Sequence, residues 1–154
     1  MCRSQAEGGQ RCFGGAQKRV QAAEAARADA SVQYEAARNA YTRAAERAAE
    51  MKTVQGRENA QRAADDAGFA LQDAAEAYAA AKERHEDAMI DLASTSRGAA
   101  EIAYLRDEHA EAGDRMRAME LDSILDQGAH RRDRAALIKK AHDEYEARLA
   151  AVPA

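Results

Sequence analysis

The chain contains little that would stop a helix or build a large aromatic core. Among its 154 residues there is no tryptophan, and there are two phenylalanines, five tyrosines and a single proline, Pro153. No run approaches the ~18 apolar residues of a membrane span, and no apolar signal-peptide core follows Met1. We therefore expect a cytoplasmic protein whose two cysteines are reduced rather than bridged.

The composition that remains is that of a helical protein. Hydrophobic residues make up 46% of the chain, mostly as alanine, and charged residues make up 32%, with a mean hydropathy of -0.69. Alanine, glutamate, arginine, glutamine and aspartate in such amounts are typical of long helices or coiled coils, whereas disordered chains favour proline, serine and glycine. The net charge of -4 argues against a dedicated binder of duplex DNA, which is usually basic.

Two long heptad patterns occupy the first half of the chain. The first runs over 16–54 and the second over 59–93, both with alanine at most d positions. Between them the phase slips by two residues near Gly56, which predicts a turn and an antiparallel helix pair. The residues at the a positions are Val20, Arg27, Tyr34, Tyr41 and Ala48 in the first pattern, and Ala64, Leu71, Tyr78, His85 and Leu92 in the second.

The second half predicts two further helices. After the turn-rich segment "STSRG", a third helix over 99–127 places Ile102, Leu105, Met116 and Met119 on one face. Gly128 predicts either a kink or a helix end, and a last helix over 129–151 carries Ile138, Ala141, Tyr145 and Leu149 on one side.

The predicted fold is therefore all-α: an elongated antiparallel alanine-rich coiled coil or bundle of three or four helices. It forms a single domain over 16–154, preceded by a flexible leader over 1–15 that is rich in glycine and holds both cysteines. Leucine and isoleucine lie mostly beyond residue 90, and each contributes ~1.5–3 kcal/mol when buried, against ~0.8 kcal/mol for an alanine methyl. We expect the second half to anchor the fold.

Candidate partner-binding residues form two groups. Phe69 and Ile90 lie at f positions, away from the helix seam, so that either a third helix covers them or they mark a surface for a partner or a second copy. The densest basic cluster could meet phosphates or an acidic protein surface, although interleaved carboxylates weaken it. Its members are Arg131, Arg132, Arg134, Lys139 and Lys140.

No catalytic motif and no cofactor-binding motif is recognised, so we predict a non-enzymatic protein without a cofactor. Cys2 and Cys12 supply two thiolates, half of the four ligands that a structural zinc needs, and are weak metal candidates. Three functions stay open. They are binding to another protein, nucleic-acid binding through the basic cluster, and a metal or redox response at the two cysteines.

The opening of the chain carries a resemblance. Cys2-Arg3-Ser4, followed by Gly8-Gly9 and Arg11-Cys12, resembles the start of uncharacterised proteins of actinobacterial phages, prophages and plasmids. The match covers about twelve residues and transfers no functional residue. It implies a phage or mobile-element protein made in the cytoplasm of a bacterial host cell. Its partner would then come from the host or the phage, as for an inhibitor of a host defence system or an assembly factor.

Overall fold

The computed structural model describes the backbone of residues 4–151 and the side chains of residues 13–151. It contains four helices: α1 (Ser4–Glu50), α2 (Val54–Ala93), α3 (Ser96–Glu111) and α4 (Arg115–Ala150). No strand occurs in this range, and the prediction of an all-α helical bundle is confirmed. The helices divide between two compact units, one of Met1–Val20 with Glu86–Ala154 and the other of Gln21–His85.

The first helix begins earlier than the sequence predicted. It starts at Ser4, and Phe13, inside the range predicted as a leader, is only 7% exposed in the hydrophobic core. The leader boundary at residue 15 is therefore wrong, because burying the Phe13 ring ties this part of α1 to the other helices of its unit. Cys2 and the side chain of Cys12 lie outside the described residues.

The turn between α1 and α2 lies at residues 51–53, not at Gly56. The Thr53 hydroxyl accepts a hydrogen bond from the Gly56 N–H at 3.1 Å, so that Thr53 caps the start of α2. Gly56 belongs to the first turn of that helix. A Cβ there would lie 2.7 Å from the Thr53 Oγ1, which gives the glycine a steric role in the turn.

The next turn lies where "STSRG" predicted it, but the third helix is much shorter than expected. Thr95 caps α3 by accepting from the Gly98 N–H at 3.0 Å. The helix then ends at Glu111, because Gly113 adopts a left-handed conformation with φ of 83° and the Asp114 N–H returns to the His109 carbonyl at 2.9 Å. This is a Schellman ending, and Asp114 caps the following helix by accepting from the Arg117 N–H.

Of the two alternatives predicted at Gly128, a kink or a helix end, the helix end is wrong. α4 runs through this position, and Gly128 is buried against Ala93 of α2. The glycine is required by the close approach of the two helices and not by a turn. The reset of phase at Gly113 also explains why Met116 and Met119, predicted to face inward, are exposed.

The core of the first unit combines all four helices. Phe13 and Ala16 of α1 pack with side chains from the end of α2, with Ile102 of α3 and with two residues of α4. The guanidinium of Arg97 covers the Phe13 ring at 4.5 Å from its centre. The remaining members of this core are Met89, Ile90, Leu92, Ala93, Leu121 and Ile124.

The second unit is an antiparallel pair formed by the parts of α1 and α2 within Gln21–His85. Tyr34 stacks on Tyr78 with ring centres 5.9 Å apart, and Tyr41 lies beside Gly68, so that the two helices run in opposite directions. Its buried hydrophobic residues are alanines, Ala30, Ala64 and Ala81. Each alanine buries little area, so this unit depends on helix propensity more than the first unit does.

Candidate interaction surface

The last part of α4 leaves the core of its unit. Every residue from 130 to 150 is exposed, although this length of helix carries several large apolar side chains. Leu137 is 68% exposed and Leu149 is 53% exposed. We name the group formed by Leu137, Ile138, Ala141, Tyr145 and Leu149 the C-terminal stripe.

The C-terminal stripe lies on one side of the helix, in an arc that it shares with Arg148. At 3.6 residues per turn, or about 100° per residue, its five members fall within about 120° of the helix circumference. The core-facing residues of the first half of α4, such as Leu121 and Ile124, are centred roughly 130° away on the same projection. The stripe is therefore a separate apolar surface and not a continuation of the core face.

Arg131 holds α4 against α2 at the point where the exposed segment begins. Its guanidinium donates to Asp91 at 2.6 Å and to Asp87 at 2.9 Å. The hydrogen bond to Asp87, together with that to Asp91, raises the pKa of Arg131 above its ordinary value, against the opposing effect of slight burial. Arg131 thus stays charged at every pH at which proteins are studied, and it serves as a clamp inside its own unit.

Two further cations of the predicted basic cluster are also paired with carboxylates of the chain. Lys139 donates to Asp143 at 2.6 Å, and Lys140 lies 4.0 Å from Glu144. Within the described residues, Arg132 and Arg134 form no ion pair. The structure thus places the five cations on one helix, but only two of them are unpaired.

The two apolar candidates have different surroundings. Ile90 is 3% exposed and belongs to the core of the first unit, so it offers no surface to a partner. The alternative that other helices cover it is the one observed. Phe69 is 67% exposed in the second unit, where it borders a groove of about 600 Å³ that is also lined by Tyr41 and Gly68.

The sequence pattern placed four of the five residues of the C-terminal stripe on one helix face but did not predict that this face is exposed. Ile138, Ala141, Tyr145 and Leu149 were placed on one helix face, and Leu137 was left out. The available signal was the surroundings of these residues, because charged residues flank both the apolar run 135–138 and Tyr145. A helix that packs against a bundle on one side also carries charges on its other sides. The pattern by itself therefore did not distinguish a core-facing helix from a fully exposed one.

Other kinds of site find no support in the described part of the chain. Among these residues, no cluster of three or more histidine, cysteine or acidic side chains could hold a metal ion. None of the helices there has the length and apolar character needed to cross a bilayer. The two weak metal candidates, Cys2 and Cys12, fall outside the range whose side chains are described.

These observations define a helical protein that has a hydrophobic core in its first unit and an exposed amphipathic segment in the last part of α4. Comparison with protein-family models, with curated proteins and with solved structures finds no match.

Proposed function

We propose that this chain is a non-enzymatic helical protein that acts by binding another protein chain through the C-terminal stripe. The observation that carries the proposal is that every residue of α4 from 130 to 150 is exposed, with five apolar residues on one side of the helix. Exposed apolar patches bordered by charges are typical of protein interaction sites.

The low stability expected for a helical segment whose apolar face is uncovered supports the same function. An isolated helix of fewer than ~12–15 residues is marginal in water, and longer ones gain most of their stability from packing an apolar face. The ion pair of Lys139 with Asp143 contributes only about 0.3–0.5 kcal/mol, as exposed i,i+4 pairs do. A partner that covers the stripe supplies the missing burial.

The resemblance of the opening residues gives this proposal its setting. It supports a phage or mobile-element protein in a bacterial cytoplasm, acting as an inhibitor of a host defence system or as an assembly factor. The nucleic-acid alternative is weakened because Arg131, Lys139 and Lys140 already contact carboxylates. Phosphate binding by the cluster would have to compete with these pairs.

The proposal is tested by co-purification with variants of the stripe. The tagged chain is made in bacterial cells, isolated at moderate salt with nuclease present, and its bound proteins are quantified by mass spectrometry. Leu137→Glu with Tyr145→Glu places two charges in the stripe. Ala136→Glu with Ala147→Glu places the same two charges on the opposite side of the helix and serves as the matched control.

We expect a stoichiometric protein, or a second and differently tagged copy of the chain, to be lost from the stripe variant and kept by the control. Binding to purified components must then reproduce that difference. The proposal is wrong if the wild type and the stripe variant retain the same proteins in the same amounts, with equal helicity by circular dichroism.

A further inference from the structure

Two arginines lie on the same side of α4 as the C-terminal stripe. At about 100° per residue, Arg134 falls near the middle of the arc that the stripe occupies, and Arg148 falls inside the arc beside Leu149. Both side chains are exposed, and neither forms an ion pair with any residue that the structure describes. The two arginines therefore bracket the first four members of the stripe, about 21 Å apart along the helix axis.

The carboxylates of this part of the helix lie outside that arc. Between the two arginines the chain carries Asp143, Glu144 and Glu146, which fall roughly 20° to 120° beyond the edges of the arc. Asp143 accepts from Lys139 at 2.6 Å, and Glu144 lies 4.0 Å from Lys140. The charge on the apolar side of the segment is therefore positive only, although the segment as a whole carries both signs.

A protein that covers the C-terminal stripe must also meet both arginines. On the helix circumference, Arg148 falls between Leu137 and Ala141. Arg134 falls between Ala141 and Tyr145. A guanidinium that loses its water without gaining an acceptor opposes association. A carboxylate on the partner provides that acceptor, because its two oxygens accept two parallel hydrogen bonds from one guanidinium.

From this charge pattern we infer that the partner on the C-terminal stripe is an amphipathic protein helix whose apolar side carries two carboxylates, two heptads apart. Two heptads also separate Arg134 from Arg148, and residues at that spacing return to the same face of a paired helix. The inference rests on the proposed function, since it gives the chemistry of the partner on the same surface. Complementary charge fixes the register of such a pair and excludes partners with cations at these points.

An acidic helix suits this surface better than an array of phosphates does. Two carboxylates meet the two arginines at separate points. A membrane or a nucleic acid instead presents phosphates along its whole surface, and these would repel the carboxylates on the flanks of the same segment.

The test uses the purified full-length chain as bait for a displayed library of helices four heptads long. Each helix has leucine at its a and d positions and a random choice of glutamate, glutamine or lysine beside them. Helices that bind the wild type should carry glutamate at two positions two heptads apart. Against the arginine variant, Arg134→Glu with Arg148→Glu, the preference should change to lysine. Selection of lysine by the wild type, or of no charge in particular, overturns the inference.

One selected helix is then measured as a labelled peptide by fluorescence anisotropy at about 0.15 M salt, where charges more than ~8 Å apart are screened. The arginine variant should bind it about tenfold more weakly, since each of the two ion pairs contributes about 0.2–1 kcal/mol. The matched control is Arg115→Glu with Arg132→Glu, which makes the same change of charge outside the arc and should bind within about twofold of the wild type. Equal weakening by both variants would show a general effect of charge and refute the inference.

The co-purification separates this inference from the proposed function. If the stripe variant loses a protein that the arginine variant keeps, the proposed function stands and the acidic helix is refuted. If the stripe variant loses none, both fail. Two further results assign the stripe to another occupant and also refute the inference. One is a wild-type dimer that the arginine variant leaves intact, and the other is sedimentation of the wild type, but not of the stripe variant, with vesicles that contain phosphatidylserine.

Discussion

Replacing Gly128 by alanine tests the close contact between α2 and α4. A Cβ at this position would lie 2.5 Å from the Cβ of Ala93 and 2.6 Å from its carbonyl carbon, closer than such atoms approach one another. The obstacle includes backbone, which cannot rotate away, so the two helices must separate. Overpacking of this kind costs about 1–3 kcal/mol, while alanine in place of glycine returns ~1 kcal/mol of helix propensity.

Because backbone blocks the new methyl group, we take the upper part of that range and expect a net loss of ~2 kcal/mol in unfolding free energy. Gly68→Ala is the matched control, since it is also within a helix but its Cβ would meet only the Tyr41 ring at an ordinary 3.5 Å. That change should be neutral or stabilising. Urea unfolding followed by circular dichroism gives the free energies, and hydrogen exchange of peptides from α2 and α4 locates the effect.

The result that would refute this reasoning is a Gly128→Ala chain as stable as the wild type, with unchanged exchange protection around Ala93. It would mean that α2 and α4 do not approach closely there. A loss of stability in both glycine variants would instead indicate that the propensity of these helices, and not the contact, had been misjudged.

Two further substitutions test the first unit by chemical denaturation. Phe13→Ala should lower the unfolding free energy by about 3–5 kcal/mol, because it empties a buried position, whereas Phe69→Ala at an exposed one should cost less than ~0.5 kcal/mol; equal costs would contradict the role of Phe13 in the core. Arg131→Gln should cost less than ~1 kcal/mol at low salt, since both of its ion pairs are partly exposed. That cost should shrink at high salt, and a salt-independent cost would show that the ion pairs do not account for it.

Much of the fold follows from local sequence. Long segments rich in alanine and without proline form helices wherever they lie in a chain, which is why the all-α class and the end of α2 at Ala93 were predicted correctly. The turn after α3 was also encoded locally, by Gly113 followed by Asp114. The heptad pattern continues across this turn, and for that reason the third helix was predicted to extend to residue 127. At this turn the capping residues mark the end of the helix, whereas the hydrophobic period does not.

Glycine shows where local reasoning fails. Gly113 and Gly128 are alike in the sequence, each within a long helical pattern, yet one ends a helix and the other lies buried inside one. Only the neighbouring helix distinguishes them, because Ala93 approaches Gly128 and leaves no room for a side chain. Phe13 is a similar case, since nothing in its glycine-rich surroundings shows that α2, α3 and α4 provide a cavity for its ring.

The sequence alone determined the helical class of this protein, the alanine-rich stripes along its first two helices and the order of charges along α4. Each of these depends on neighbouring residues within one helix. Tertiary structure alone decided which apolar faces are covered. Ile90 and Ile138 are the same residue type on amphipathic helices, yet one is in the core and the other faces solvent. The physical reason is that burial depends on which other helices come within contact distance, and that is a property of the packed chain and not of any single helix.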